Sequence, residues 1–304
     1  MLFEEIGRLL PDASRRQYQH FAGCLTATHV DRLEASVGAI ADCLMQIASD
    51  RVELDTVWFS GVTDAVDLIR DKLPWGKSDE RRPSELAMES LAQRFAERTK
   101  DLADRLVTIN RLDGVNAAQV LRVVAEQLSV DAPVNASTSS LLGGVVSGLS
   151  TGLAADLMSG GLTLGTGALV GGVLGALGAA ALAKGYNVLK SKGKKVIRWS
   201  PNSLTDALYK SVLLYLSVAH FGRGQGSWRE KDAPSHWAPA LDAVLKVYRD
   251  RLEQLWDARD RQADEPHNLA EHVLVVGDVL RDVLTRLYPE ASGVLAPKQA
   301  KPVS

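Results

Sequence analysis

The amino-acid sequence predicts an all-α protein, an amphipathic helical bundle with a central glycine-zipper hydrophobic helical hairpin. Three observations predict it. Apolar residues recur every three or four positions over long stretches on both sides of the middle of the chain, which is how a helix with one buried face is written. Breaks such as Pro74-Trp75-Gly76 and Leu112-Asp113-Gly114 cut that pattern into helix-length pieces. Between Asp131 and Lys184 the only charged residue is Asp156, and about half of the 25 glycines fall between residues 141 and 185.

The first sixteen residues, MLFEEIGRLLPDASRR, carry acids where a secretory signal needs a basic start and lack a long apolar core, so no export signal is expected. From Ser14 to Arg51, the series Tyr18, Phe21, Leu25, Leu33, Val37, Ile40, Leu44 and Ile47 marks one long amphipathic helix. A second helix is predicted from Leu54 to Leu73. The charged SDERRP stretch separates it from a third, Ser84 to Ile109, and a fourth runs from Asn116 to Leu128. The small, polar residues 130–140 read as a linker. Three further helices are predicted at Ser203–Ala219, Ala238–Arg261 and Asn268–Leu287, followed by a disordered tail. The predicted regions are therefore 1–130 (helical), 131–200 (glycine-rich hairpin with a basic flank), 201–290 (helical) and 291–304 (tail).

Glycine costs a helix about 1 kcal/mol relative to alanine in water, so a helical segment this rich in it needs close packing in return. Gly144, Gly148 and Gly152 are spaced four apart, as are Gly167, Gly171 and Gly175, which puts each set along one helix face. Such stripes let two backbones approach closely in lipid, where van der Waals contact drives association. As helices, residues 141–159 and 162–183 would extend roughly 28 and 33 Å, near the ~30 Å hydrocarbon thickness of a bilayer. Asp156 continues the first stripe and is read as a cap near the turn at Ser159–Gly161, with an intramembrane acid as the alternative. The same stripes would also serve homo-oligomerisation. A hairpin buried in a soluble bundle is the competing reading, because the segment holds many Gly, Ser and Thr.

After the hairpin, Lys184, Lys190, Lys192, Lys194, Lys195 and Arg198 occur with no acid among them, with Tyr186 and Trp199 nearby. Positive and aromatic residues of this kind belong at the cytoplasmic membrane interface. This stretch is read as a helix end followed by a small hairpin turning at Ser191 to Gly193.

Composition narrows the functional class. The formal net charge of -2 over 304 residues gives no global reason to expect nucleic acid. Cys24 and Cys43, the only cysteines, are expected to be free, buried thiols in a reducing compartment. Gly76-Lys77-Ser78 ends like a P-loop, but Asp71 stands where its first glycine belongs and no strand precedes it. Asn110-Arg111-Leu112-Asp113 echoes a guanine-recognition motif on a helical pattern and is rejected as well. His267 with Glu271 and His272, and His20 with Cys24, lack the spacing or the further ligands of a metal site. Gly222, Arg223, Gly224 and Gly226 could expose backbone N–H groups to an anion, with an interhelical loop as the alternative. No catalytic arrangement, cofactor site or metal site is predicted.

The runs ADLMSGGLTLGTGALVGGVLGALG (155–178), KGYNVLK, IRWSP and YLSVAHFGRGQGSW (215–228), together with LDGVNAAQVL and VDAPV, resemble a bacterial family filed as domain of unknown function 3482. In that family the domain usually follows an Era-like GTP-binding domain, which this chain lacks. The resemblance implies a GTPase partner in cis or in trans and lends no activity of its own. The expected function is a non-catalytic, membrane-associated helical module that couples a GTPase to the bacterial inner membrane from its cytoplasmic face, with the hairpin inserted. The alternatives are a soluble interaction scaffold with a buried hairpin, and a glycine-zipper pore-former.

Overall fold

The computed structural model describes residues 2–54, 83–112, 186–191, 194–221, 234–259 and 267–295. Within them the protein is all-α, with eight α-helices and one small three-stranded sheet. The predicted helices beyond Leu54 and at 116–128, the linker at 130–140 and both arms of the glycine-rich hairpin lie outside the described residues. The chain divides into two compact units. One comprises Met1–Met45, Leu102–Val120 and Leu208–Ser304, the other Gln46–Asp101 and Leu121–Ala207.

The first unit begins with a helix the sequence reading did not expect, α1 (Leu2–Leu9), followed by α2 (Asp12–Ser49). Pro11 starts α2 by accepting from the backbone N–H groups of Ser14 and Arg15. Arg15 ties the two helices together. Its Nε donates to Gly7 O at 3.1 Å and its Nη2 to Leu10 O at 3.2 Å, while its Nη1 pairs with Asp12 at 2.7 Å. Carbonyls at the end of α1 have no helical partner, so the guanidinium satisfies them. The long apolar stripe predicted for α2 is core only in part. No residue from Asp12 to Arg32 is buried and Phe21 is 56% exposed, whereas Leu33, Val37, Ile40 and Leu44 are all buried. Cys43 lies among these core residues, but Cys24 is exposed, so only one of the two free thiols is buried as expected.

Helix α3 (Pro83–Ile109) starts on a proline, whose fixed φ and missing N–H suit the first helical position. Its last two turns, from Leu102, belong to the first unit, where Arg105 Nη1 donates to Asp42 Oδ2 of α2 at 2.7 Å. The helix stops by a Schellman arrangement, with Arg111 N donating to Thr108 O and Leu112 N to Val107 O. Arg111 holds the left-handed position (φ 52°) that glycine usually takes. The Asn-Arg-Leu run that echoed a nucleotide motif is thus a helix stop, with Asn110 Nδ2 donating back to Leu106 O at 2.9 Å.

The rest of this unit comes from α4 (Pro201–Phe221) beyond Ala207, α5 (Trp237–Val247), α6 (Arg249–Ala258) and α7 (His267–Leu287). The single helix predicted over Ala238–Arg261 is two helices here. Tyr248 leaves helical geometry (φ -87°, ψ 3°), although its N–H still reaches Val244 O and its carbonyl still accepts from Leu252 N. Helix α7 packs against both α5 and α6 through its buried series Val275, Val276, Val279, Leu280 and Val283. Its polar side carries ion pairs: Arg251 to Asp278 at 2.6 Å, and Arg281 to Glu34 of α2 at 2.6 Å. Tyr248 Oη donates to Asp282 Oδ2 at 2.8 Å. Burial and that carboxylate push the phenol up to about 12, because both disfavour the phenolate. Residues 291–295, expected to be a disordered tail, close a 3-10 turn (Pro289–Ala291) and form the short α8 (Ser292–Leu295).

The second unit holds the last turn of α2, most of α3, the first turns of α4 and the sheet. The sequence reading carried the first helix through Arg51 and began the next at Leu54. Instead α2 ends at Ser49, and Arg51–Leu54 form β1. The partners of β1 stand far away in the chain, so local periodicity could not show it. Strands β2 (Tyr186–Ser191) and β3 (Lys194–Trp199) form the hairpin expected around Ser191 to Gly193, and the sheet order is β1-β3-β2, antiparallel throughout.

Candidate functional site

The sheet of the second unit is the described part of the chain that gathers the predicted interface residues. Its register places Arg51 opposite Arg198, Val52 opposite Ile197, Glu53 opposite Val196 and Leu54 opposite Lys195. On the other side of β3, Tyr186 pairs with Trp199, Asn187 with Arg198, Lys190 with Lys195, and Ser191 with Lys194. Side chains alternate across a strand, so Ile197 and Trp199 share one side of β3 and Val196 and Arg198 the other.

The first side is core. Ile197 is 3% and Trp199 2% exposed, and the Trp199 ring sits 5.3 Å from that of Phe95 of α3 at a tilt of 52°, a favourable aromatic geometry. Trp199 was expected as an interfacial aromatic. In the structure strand alternation turns it toward α3, where it is buried against Phe95. The second side is more open: Arg51 and Glu53 are exposed, and Val196 and Arg198 are half-buried.

Two joints hold the sheet in place. At the N-terminal edge, Asp50 follows α2 and is almost buried. Its carboxylate accepts from Arg94 Nε at 3.0 Å and from Arg98 Nη1. Arg98 Nη1 also donates to Gln46 O at 2.9 Å, and Arg94 Nη1 to Ser90 Oγ at 2.6 Å. An aspartate at a helix C-terminus meets the negative end of the helix dipole, so the two arginines supply the favourable field it otherwise lacks. At the C-terminal edge, Ser200 and Pro201 convert β3 into α4. Ser200 Oγ accepts from Ser203 N at 3.1 Å as an N-cap, and Pro201 occupies the first helical position. The IRWSP run is therefore the end of a strand, a cap and a helix start.

Of the residues assigned to the membrane interface, Tyr186, Lys190, Lys194, Lys195, Arg198 and Trp199 come together in this sheet. Lys184 and Lys192 lie outside the described residues, as do Gly144, Gly148, Gly152, Gly167, Gly171 and Gly175, Asp156, and the anion-loop residues Gly222, Arg223, Gly224 and Gly226. Arg51 was missed. It sits next to Arg198 only through long-range pairing, and nothing in its local sequence marks it.

Among the described residues no group of three or more His, Cys, Asp or Glu is placed to hold a metal ion. His20 Nδ1 and Cys24 Sγ are 3.8 Å apart on one exposed helix turn. His272 is fully buried with its ring 5.7 Å from that of Trp256, while Glu271 is exposed. Among the described residues no helix is long and apolar enough to cross a membrane.

No curated protein and no solved structure matches the chain. The family model for Domain of unknown function (DUF3482) matches residues 1–271. With nearly the whole length matched, the chain belongs to the DUF3482 family.

Proposed function

We propose that the chain is a non-catalytic helical module that attaches a GTPase to the bacterial inner membrane, with residues 141–183 as the inserted element at the cytoplasmic face. The observation that carries this reading is the run between Asp131 and Lys184 with Asp156 as its only charge, striped by glycines four apart. Soluble cores seldom hold so long an uncharged run, and paired glycine stripes suit helix association in lipid. The basic sheet beginning at Tyr186 follows that run directly and supplies the positive flank of an inserted segment. The GTPase partner is carried by the family resemblance, in which a G domain precedes this module.

Fractionation of cells expressing the chain tests the anchor. The protein should stay with the membranes through a high-salt wash and leave them with detergent. Recovery in the soluble fraction at low and high salt alike would overturn it. A soluble scaffold is favoured by the many Gly, Ser and Thr in the run, and monodisperse behaviour without detergent is its signature. Release of dye from liposomes would mark a pore rather than a passive anchor. A G-domain reading frame joined or adjacent to this one is the expected genetic context for the GTPase.

A further inference from the structure

On α2, His20 and Cys24 stand one helical turn apart, and both are exposed. Their ligating atoms already converge, with Nδ1 and Sγ 3.8 Å apart. Zinc binds imidazole nitrogen at about 2.0–2.1 Å and thiolate sulfur at about 2.3 Å, so two such ligands on a tetrahedral ion stand about 3.6 Å from each other. The pair therefore needs little adjustment to chelate. Positions four apart on a helix share a face, which is why this spacing serves where one helix supplies two metal ligands. Among the described residues no third ligand stands with them, and a closed zinc site takes four.

The helix around the pair is open. No residue from Asp12 to Arg32 is buried, Phe21 beside His20 is 56% exposed, and residues 17–30 contain no Asp, Glu, Lys or Arg. Arg16 bounds this uncharged stretch at one end and Asp31 at the other. Two copies laid antiparallel along it bring each Arg16 toward the second copy's Asp31, whereas a parallel pair sets like charges together. A twofold axis at Ala22 then sets each His20 level with the second copy's Cys24. We propose that two copies of the chain join there on one zinc ion, each giving His20 Nδ1 and Cys24 Sγ, so that the site is complete only in the dimer. Side chains from facing helices are a common source of metal sites, and two nitrogens with two sulfurs suit zinc rather than the oxygen-preferring magnesium or calcium. Each thiol releases its proton to the buffer as its zinc–sulfur bond forms, and the zinc keeps its oxidation state. The proposal uses α2 alone and is independent of the membrane reading.

Zinc binding by the purified full chain, held in a mild detergent with a phosphine reductant that does not chelate, tests it. After gel filtration wild type should retain one zinc per two chains. Cobalt(II) in place of zinc should give the visible bands of a tetrahedral ion together with a thiolate-to-metal charge-transfer band. Cys24→Ser and His20→Ala should each weaken zinc binding by at least about 100-fold, since losing a ligand costs more than losing an outer partner of one. Cys24→Ser should also abolish the charge-transfer band. Both side chains are exposed, so the urea midpoint of each metal-free variant should match that of metal-free wild type, which separates a lost site from lost folding. Wild type that retains no zinc overturns the proposal. One zinc per chain overturns it as well, because the site would then close without a second copy. Retention by either variant at the wild-type ratio overturns it too.

Discussion

Replacing Asp50 with alanine removes the acceptor that joins the end of α2 to α3. Hydrogen bonds to a charged group contribute about 1.5–3 kcal/mol each, and removing one side of a buried ion pair costs about 3–5 kcal/mol. Asp50 is 8% exposed, but Arg94 and Arg98 keep 33% and 24% of their side-chain surface in water. Each arginine also retains another acceptor, Ser90 Oγ or Gln46 O. The freed N–H groups are therefore partly resatisfied, and the expected loss falls to about 2–3 kcal/mol. Asp50→Asn keeps an acceptor oxygen but no charge, so about half of that loss is expected. Urea unfolding of the full chain, followed by tryptophan fluorescence, reads the effect, because Trp199 is buried against Phe95 in the same unit. A cycle with Arg98→Ala should return a coupling of about 1–2 kcal/mol. A loss below about 0.5 kcal/mol for Asp50→Ala, the scale of an exposed pair, would refute the view that this joint holds the strand-bearing end of α2.

Arg111 occupies the left-handed position that ends α3, where a side chain costs about 1–2 kcal/mol relative to glycine. Arg111→Gly should therefore stabilise by up to about 1 kcal/mol, seen as a higher urea midpoint. Tyr248 holds its proton more tightly folded than unfolded, so its contribution is present below pH 10 and drains away as pH rises toward about 12. Tyr248→Phe should lower stability by about 1 kcal/mol near neutral pH and flatten that alkaline decline, and phenolate absorbance in the two proteins checks the assignment. In the glycine-rich run, Gly148→Leu and Gly171→Leu should damage folding or assembly while preserving membrane association. Val146→Leu and Leu174→Phe, off the stripes, should be milder, and equal protease resistance of all four variants would remove the close-packed contact.

Much of the fold was legible because helices announce themselves locally. The stripe from Leu33 to Ile47, the helix expected from Ser84 to Ile109 and the hairpin around Ser191 all follow from spacing and turn chemistry within a few residues. Arg51–Leu54 did not, because four residues of strand have too little periodicity of their own and take their structure from Lys195–Arg198. The break at Tyr248 was equally silent: the apolar rhythm continues through it, and the deviation is one residue in which both neighbouring helical hydrogen bonds survive. The exposure of Phe21 has the same origin, since a stripe identifies a face suited to burial and only tertiary packing decides how far along the helix burial extends. In the candidate site, the lysines and Arg198 were visible as a basic run. Their arrangement in a sheet with Arg51, and the inward turn of Trp199, needed the strand register.

The claim that residues 141–183 enter a bilayer can be read at one position. A polarity-sensitive fluorophore on Leu174→Cys, in a chain whose natural cysteines are replaced by Cys24→Ser and Cys43→Ala, reports the surroundings of the second predicted arm directly. Added phospholipid vesicles should shift its emission to the blue, and nitroxide-bearing lipids should quench it. An emission spectrum that is the same with and without vesicles, and indifferent to nitroxide lipids, would contradict insertion.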